Sequence, residues 1–158
     1  MPYAFFHELF PEIAERETRT ITMFEQSSSG LPSGDYGFIE MYCNERKCDC
    51  RRVFFYVVSK TTKKPVAVIA YGWESQKFYA KWMKDDSPEV IAELQGPILN
   101  MGSPQSKYAP AILEIVKDII LKDSAYIDRI KTHYKMYRDK IDRKLVLKRS
   151  TRNRKRKR

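Results

Sequence analysis

Long apolar runs are missing from this 158-residue sequence; none approaches the roughly 20 residues that a helix needs to cross a bilayer. The opening stretch MPYAFFHELFPEIAER lacks the basic n-region of a secretory signal and is broken by acidic residues and Pro11. An intracellular protein, cytoplasmic or nuclear, is therefore expected. Histidine is scarce, at two residues, and the three cysteines are an odd number that does not suit a disulfide framework. The six glycines form no phosphate-cradling loop after a strand. No serine sits in a G-x-S-x-G elbow, and neither H-E-x-x-H nor H-x-E with P-C-x-x-C occurs. These absences remove the common signatures of hydrolases, zinc proteases, deaminases and nucleotide-binding folds, and they lean against catalysis without excluding it.

What is present suffices for a folded core. A hydrophobic fraction of 42% and an aromatic fraction of 13% are those of a globular chain, although 32% of the residues are charged. The length suits one domain. The net charge of +10 is unevenly placed: Lys148 to Arg158 contains eight basic residues and no acidic one, which leaves 22 basic against 20 acidic residues before it. The division expected is a globular α+β domain over 1–147 and a basic, disordered tail over 148–158.

Periodicity locates the elements. The segment FFHELFPEIAER suits a short helix burying Phe6, Leu9 and Phe10, resuming after Pro11 with Ile13 and Ala14 inward. TRTITMF alternates with period two and predicts a strand, and EQSSSGLPSGDYG is a loop. YGFIEMYC, RRVFFYVVSK and PVAVIAYG predict three consecutive antiparallel strands, giving a sheet of three or four strands. The middle one is apolar on both faces and should be central; FIEMY alternates and should leave Glu40 on the wetter face. Helices are expected over ESQKFYAKWM, with Phe78 and Trp82 at i, i+4, and over SPEVIAEL, with Ser87 as N-cap and Pro88 at the first turn. YAPAILEIVKDIILK carries a stripe of Ile112, Ile115, Val116, Ile119 and Ile120, and Asp123 or Ser124 caps a long C-terminal helix bearing Ile127, Ile130, Tyr134, Tyr137, Ile141 and Leu145.

All three cysteines fall in MYCNERKCDCRRV, as a C-x4-C-x-C pattern at Cys43, Cys48 and Cys50. Thiolates repel one another unless a cation neutralises them, so a hairpin that gathers three gains most from a metal, zinc being the natural candidate. The fourth ligand is open among His7, His133, Asp49, Glu45 and water. Unassociated packed thiols and a redox pair within Cys48-Asp49-Cys50 are the competing uses. A structural metal is favoured over a catalytic one, because no recognisable base-bearing motif accompanies the cysteines.

Positive charge occurs at two places that could meet phosphate: Arg46, Lys47, Arg51 and Arg52 beside the cysteines, and Lys148, Arg149, Arg152, Arg154, Lys155, Arg156, Lys157 and Arg158 in the tail. The expected function is a nucleic-acid-associated binding protein or complex subunit contacting DNA or RNA, with a structural zinc. The alternatives are a small metal-dependent enzyme acting on nucleic acid or nucleotides, and an interaction adaptor whose tail is a targeting signal.

Overall fold

The doubly apolar run VFFYVV forms the centre of the sheet, as its pattern requires. The structure is a computed structural model that describes residues 3–25 and 30–156, without the side chains of 144–151, 153, 155 and 156. Strand β4 (Arg52–Ser59) lies between β3 (Gly34–Cys43) and β5 (Pro65–Gly72), antiparallel to both. Val53, Phe55 and Val57 enter the main core, whereas Phe54 joins Val68 and Ala70 in a smaller apolar cluster. Burial on both faces explains why neither half of the alternation is polar.

Three shorter strands complete the sheet. β1 (Tyr3–Phe5) pairs with the Cys43 end of β3, β2 (Arg19–Met23) with its Gly34 end, and β6 (Ile98–Leu99) with β5. The mixed α+β class holds, but the expected three or four strands are corrected to six among the described residues. The two unforeseen strands have three and two residues, too few to show an alternation; they form because neighbouring strands offer backbone groups that need partners.

Helices α1 (Phe6–Leu9) and α2 (Pro11–Glu17) follow β1, with Phe6 buried beneath them. α3 (Gln76–Met83) and α4 (Pro88–Gln95) follow β5, and Ser75 caps α3 by accepting from Phe78 N at 3.1 Å. α3 buries Tyr79, whereas Trp82 remains 38% exposed. α5 (Ala109–Asp118) lays Ile112 and Val116 in the core, then gives way to a 3-10 turn at Ile120–Lys122. That change of winding turns Ile119 outward, at 53% exposure, and so breaks the predicted stripe. Asp123 Oδ1 accepts from Tyr126 N at 3.2 Å and starts α6 (Ser124–Arg156), whose Tyr126, Ile130, His133, Tyr134, Tyr137 and Arg138 are all buried.

Two further expectations are corrected. Glu40 does not face water: it is 4% exposed, because β3 turns it toward α6. The basic segment from Lys148 is not an unstructured arm, since α6 continues through it to Arg156. Lysine and arginine are good helix formers, no glycine or proline intervenes, and lengthening an existing helix is far easier than nucleating one. Lys157 and Arg158 lie outside the described residues. No helix among the described residues is long and apolar enough to cross a membrane.

Candidate metal centre and its docking on the C-terminal helix

Cys43 ends β3, and Cys50 lies two residues before β4, so the antiparallel pairing of these strands brings both thiols to one end of the sheet. The turn that joins them carries Lys47 and Arg51 at φ values of +53° and +50°. Non-glycine residues rarely hold this left-handed geometry, and here it folds Cys48 back toward the other two. The three Sγ atoms lie within 4.8 Å of one another, close to the roughly 3.8 Å edge of a zinc–thiolate tetrahedron with bonds near 2.3 Å. Cys43 and Cys50 are buried, and Cys48 is half-buried.

The cluster already favours negative charge at one sulfur. Hydrogen bonding from Cys50 brings the Cys43 pKa down to about 6, with the Glu45 backbone, Cys48 and the Arg138 charge acting in the same direction. Cys50 moves upward, first through its hydrogen bond to Cys43 and then through burial, and burial also raises Cys48. The donor set is soft and converging, which is the chemistry of a metal-thiolate site. Three cysteines and no His, Asp or Glu make up the group. His133 is held between two carboxylates, His7 is stacked on Phe5 at 5.0 Å, Asp49 binds Arg51 at 2.9 Å, and Glu45 is exposed.

A frame of hydrogen bonds that the sequence did not reveal surrounds the knuckle. Arg138, 7% exposed, donates to the carbonyls of Cys43 and Glu45 and binds Asp142 at 3.2 Å. The Tyr134 hydroxyl accepts from Arg51 N at 3.1 Å, and the Tyr79 hydroxyl donates to Arg51 O at 2.8 Å. Tyr134, Arg138 and Asp142 are four residues apart on α6, a spacing that reads as ordinary core packing until the fold is known.

The positive patch expected beside the cysteines is smaller than its sequence. Arg46 and Lys47 are exposed. Arg51 is paired with Asp49 and Glu74, and its guanidinium covers the Phe78 ring at 4.5 Å. Arg52 is removed from it: only 4% exposed, it donates to Leu94 O, Glu93 O and the Tyr3 hydroxyl, closing the C-terminal end of α4. In the tail, Arg152 and Arg154 are exposed; Lys148, Arg149, Lys155 and Arg156 have described backbone only.

A second buried polar cluster ties α2, β3 and α6 together. His133 Nδ1 lies 2.8 Å from Glu40, and its Nε2 lies 2.6 Å from Glu17. Tyr42 donates to Glu40, and Phe6 stacks on the imidazole at 4.4 Å. Burial opposes charging of His133, yet the hydrogen bonds and charges of Glu40 and Glu17 prevail and raise its pKa. Elsewhere, Tyr3, Met41, Arg52, Phe54, Ile98 and Met101 line part of a cavity of about 590 Å³ against α4.

Comparison with protein-family models, with curated protein sequences and with solved structures returned no match. The site therefore rests on its geometry.

Proposed function

We propose that this chain is a nucleic-acid-associated binding protein or complex subunit, in which zinc held by Cys43, Cys48 and Cys50 staples the β3–β4 knuckle and the cationic end of α6 contacts phosphate backbone. The observation that carries the metal half is the convergence of three sulfurs within 4.8 Å. The partner half is supported by eight basic residues without an acid from Lys148 to Arg158, two of which, Arg152 and Arg154, are exposed.

The three-ligand count favours one competing reading, since catalytic zinc sites keep a position for water or substrate. Against it, Glu40 is engaged by His133 and Tyr42, and Glu45 is exposed on the turn, so neither stands as a base for a metal-bound water.

Metal analysis of the purified protein and titration against labelled duplex DNA and single-stranded RNA test the proposal together. One zinc per chain is expected, with affinity falling steeply as salt rises, by a log–log slope of about −0.9 per duplex phosphate neutralised. Deleting residues 148–158 should flatten that slope. Metal-free protein of unchanged stability after chelation refutes the metal half. An unchanged slope after deletion, or no binding at low salt, refutes the partner half and leaves the tail as a targeting address.

A further inference from the structure

The knuckle and the base of the cationic extension are one mechanical unit. Side chains at three positions of α6 hold backbone groups of five knuckle residues. Arg138 takes the carbonyls of Cys43 and Glu45, and Tyr134 accepts from Arg51 N and faces Cys48 O at 3.5 Å. Asp142 accepts from Lys47 N at 3.3 Å. The two amides received by α6, those of Lys47 and Arg51, belong to the two left-handed residues of the turn, so the helix holds the knuckle where its backbone is least comfortable.

Past Asp142, the helix runs on through residues 143–156, about 20 Å at 1.5 Å per residue. Asp142, its last contact with the knuckle among the described side chains, is therefore the root of the basic extension. On the other side of the seam, Asn44, Glu45, Arg46, Lys47 and Asp49 are exposed. Little apolar burial keeps this loop in place, and hydrogen bonds between thiols are weak. A metal would replace those weak bonds with coordinate ones.

We propose that occupancy of the three-cysteine site regulates polyanion binding by the α6 extension: bound zinc orders the knuckle, and the ordered knuckle fixes the Tyr134–Asp142 stretch from which the extension projects. This rests on the metal and nucleic-acid reading above. Arg138 is the positioning residue, since it bridges two knuckle carbonyls from the middle of the seam. Coupling of ordinary size between two sites corresponds to about 5- to 150-fold in affinity.

The experiment uses the full chain. Cobalt(II) titration reports thiolate coordination by its charge-transfer band; duplex DNA anisotropy and amide hydrogen exchange over residues 134–143 are then compared between the zinc-loaded and chelated protein. Loading should tighten DNA binding at least fivefold and slow exchange in that stretch. Arg138→Met should keep the cobalt band and the helical circular dichroism yet bind DNA, when loaded, about as weakly as the chelated wild type. Tyr134→Phe, which removes one hydroxyl, should fall between them. A cobalt band together with unchanged DNA affinity and exchange overturns the coupling alone, as does an Arg138→Met protein whose loaded affinity equals that of wild type. No band overturns the metal reading and the coupling with it; no DNA binding in either form overturns the partner and its regulation.

Discussion

Replacing His133 with phenylalanine isolates the cost of an unpaired buried carboxylate. Phenylalanine keeps a ring to stack on Phe6, now 4.4 Å away at 16°, but leaves Glu40, 4% exposed, with the Tyr42 hydroxyl as its remaining side-chain partner. Removing one member of a buried ion pair costs about 3–5 kcal/mol. Glu17, whose side chain is 38% exposed, can return to water and adds little, so Glu17→Gln alone should cost under about 1 kcal/mol. For a chain of this size, the His133→Phe loss corresponds to a melting temperature lower by about 6–20 °C. The double variant Glu40→Gln/His133→Phe removes the stranded charge and should recover more than half of that. The pH dependence has a fixed sign. A raised His133 pKa contributes stability that is fully present below the ordinary value of 6.5 and is lost as pH rises through the folded value. A lowered Glu17 pKa contributes stability present above the ordinary 4.5 and lost as pH falls through its folded value. The cluster is therefore most stabilising between those limits, and His133→Phe should flatten the alkaline side. Urea and thermal unfolding followed by circular dichroism across this range provide the assay. A His133→Phe protein as stable as wild type, or a double variant no better than the single one, refutes the argument.

Cys48→Ser should weaken zinc binding by more than about 100-fold in a chelator competition, exceeding the usual effect of losing an outer hydrogen-bond partner. Arg52→Met should lower stability by about 2–4 kcal/mol in urea unfolding, because Leu94 O, Glu93 O and the Tyr3 hydroxyl all lose their donor. Tyr126→Phe should be neutral or add up to about 1 kcal/mol by the same measurement, since its buried hydroxyl has no hydrogen-bond partner among the described residues. Gly72→Ala should cost about 1–3 kcal/mol in melting experiments, as the new methyl would press on the Tyr79 hydroxyl and lie 2.7 Å from Leu94 O.

Local pattern sufficed wherever one segment carried its own signal. β5 starts and ends where PVAVIAYG does, β4 is central because both its faces are apolar, and the cysteine turn lies between two strands because a β-rich run flanks it on either side. Pairing those strands antiparallel was enough to bring Cys43 and Cys50 together. What the tertiary structure decided were contacts between residues far apart in the chain, which no window records. Arg52 sits in a basic run yet is drawn inward by the open carbonyls of α4, and Glu40 alternates like a surface residue yet meets His133, 93 positions away. Gln105, within a stretch that reads only as a breaker, seals the edge of β5 by accepting from Val68 N at 3.0 Å and donating to Val68 O at 2.9 Å. Most decisive for the site, Tyr134, Arg138 and Asp142 look like a packing stripe with charges, and only the docking of α6 on the knuckle turns them into its frame. Periodicity reports which face of an element is apolar; which buried polar groups find one another depends on where those faces meet.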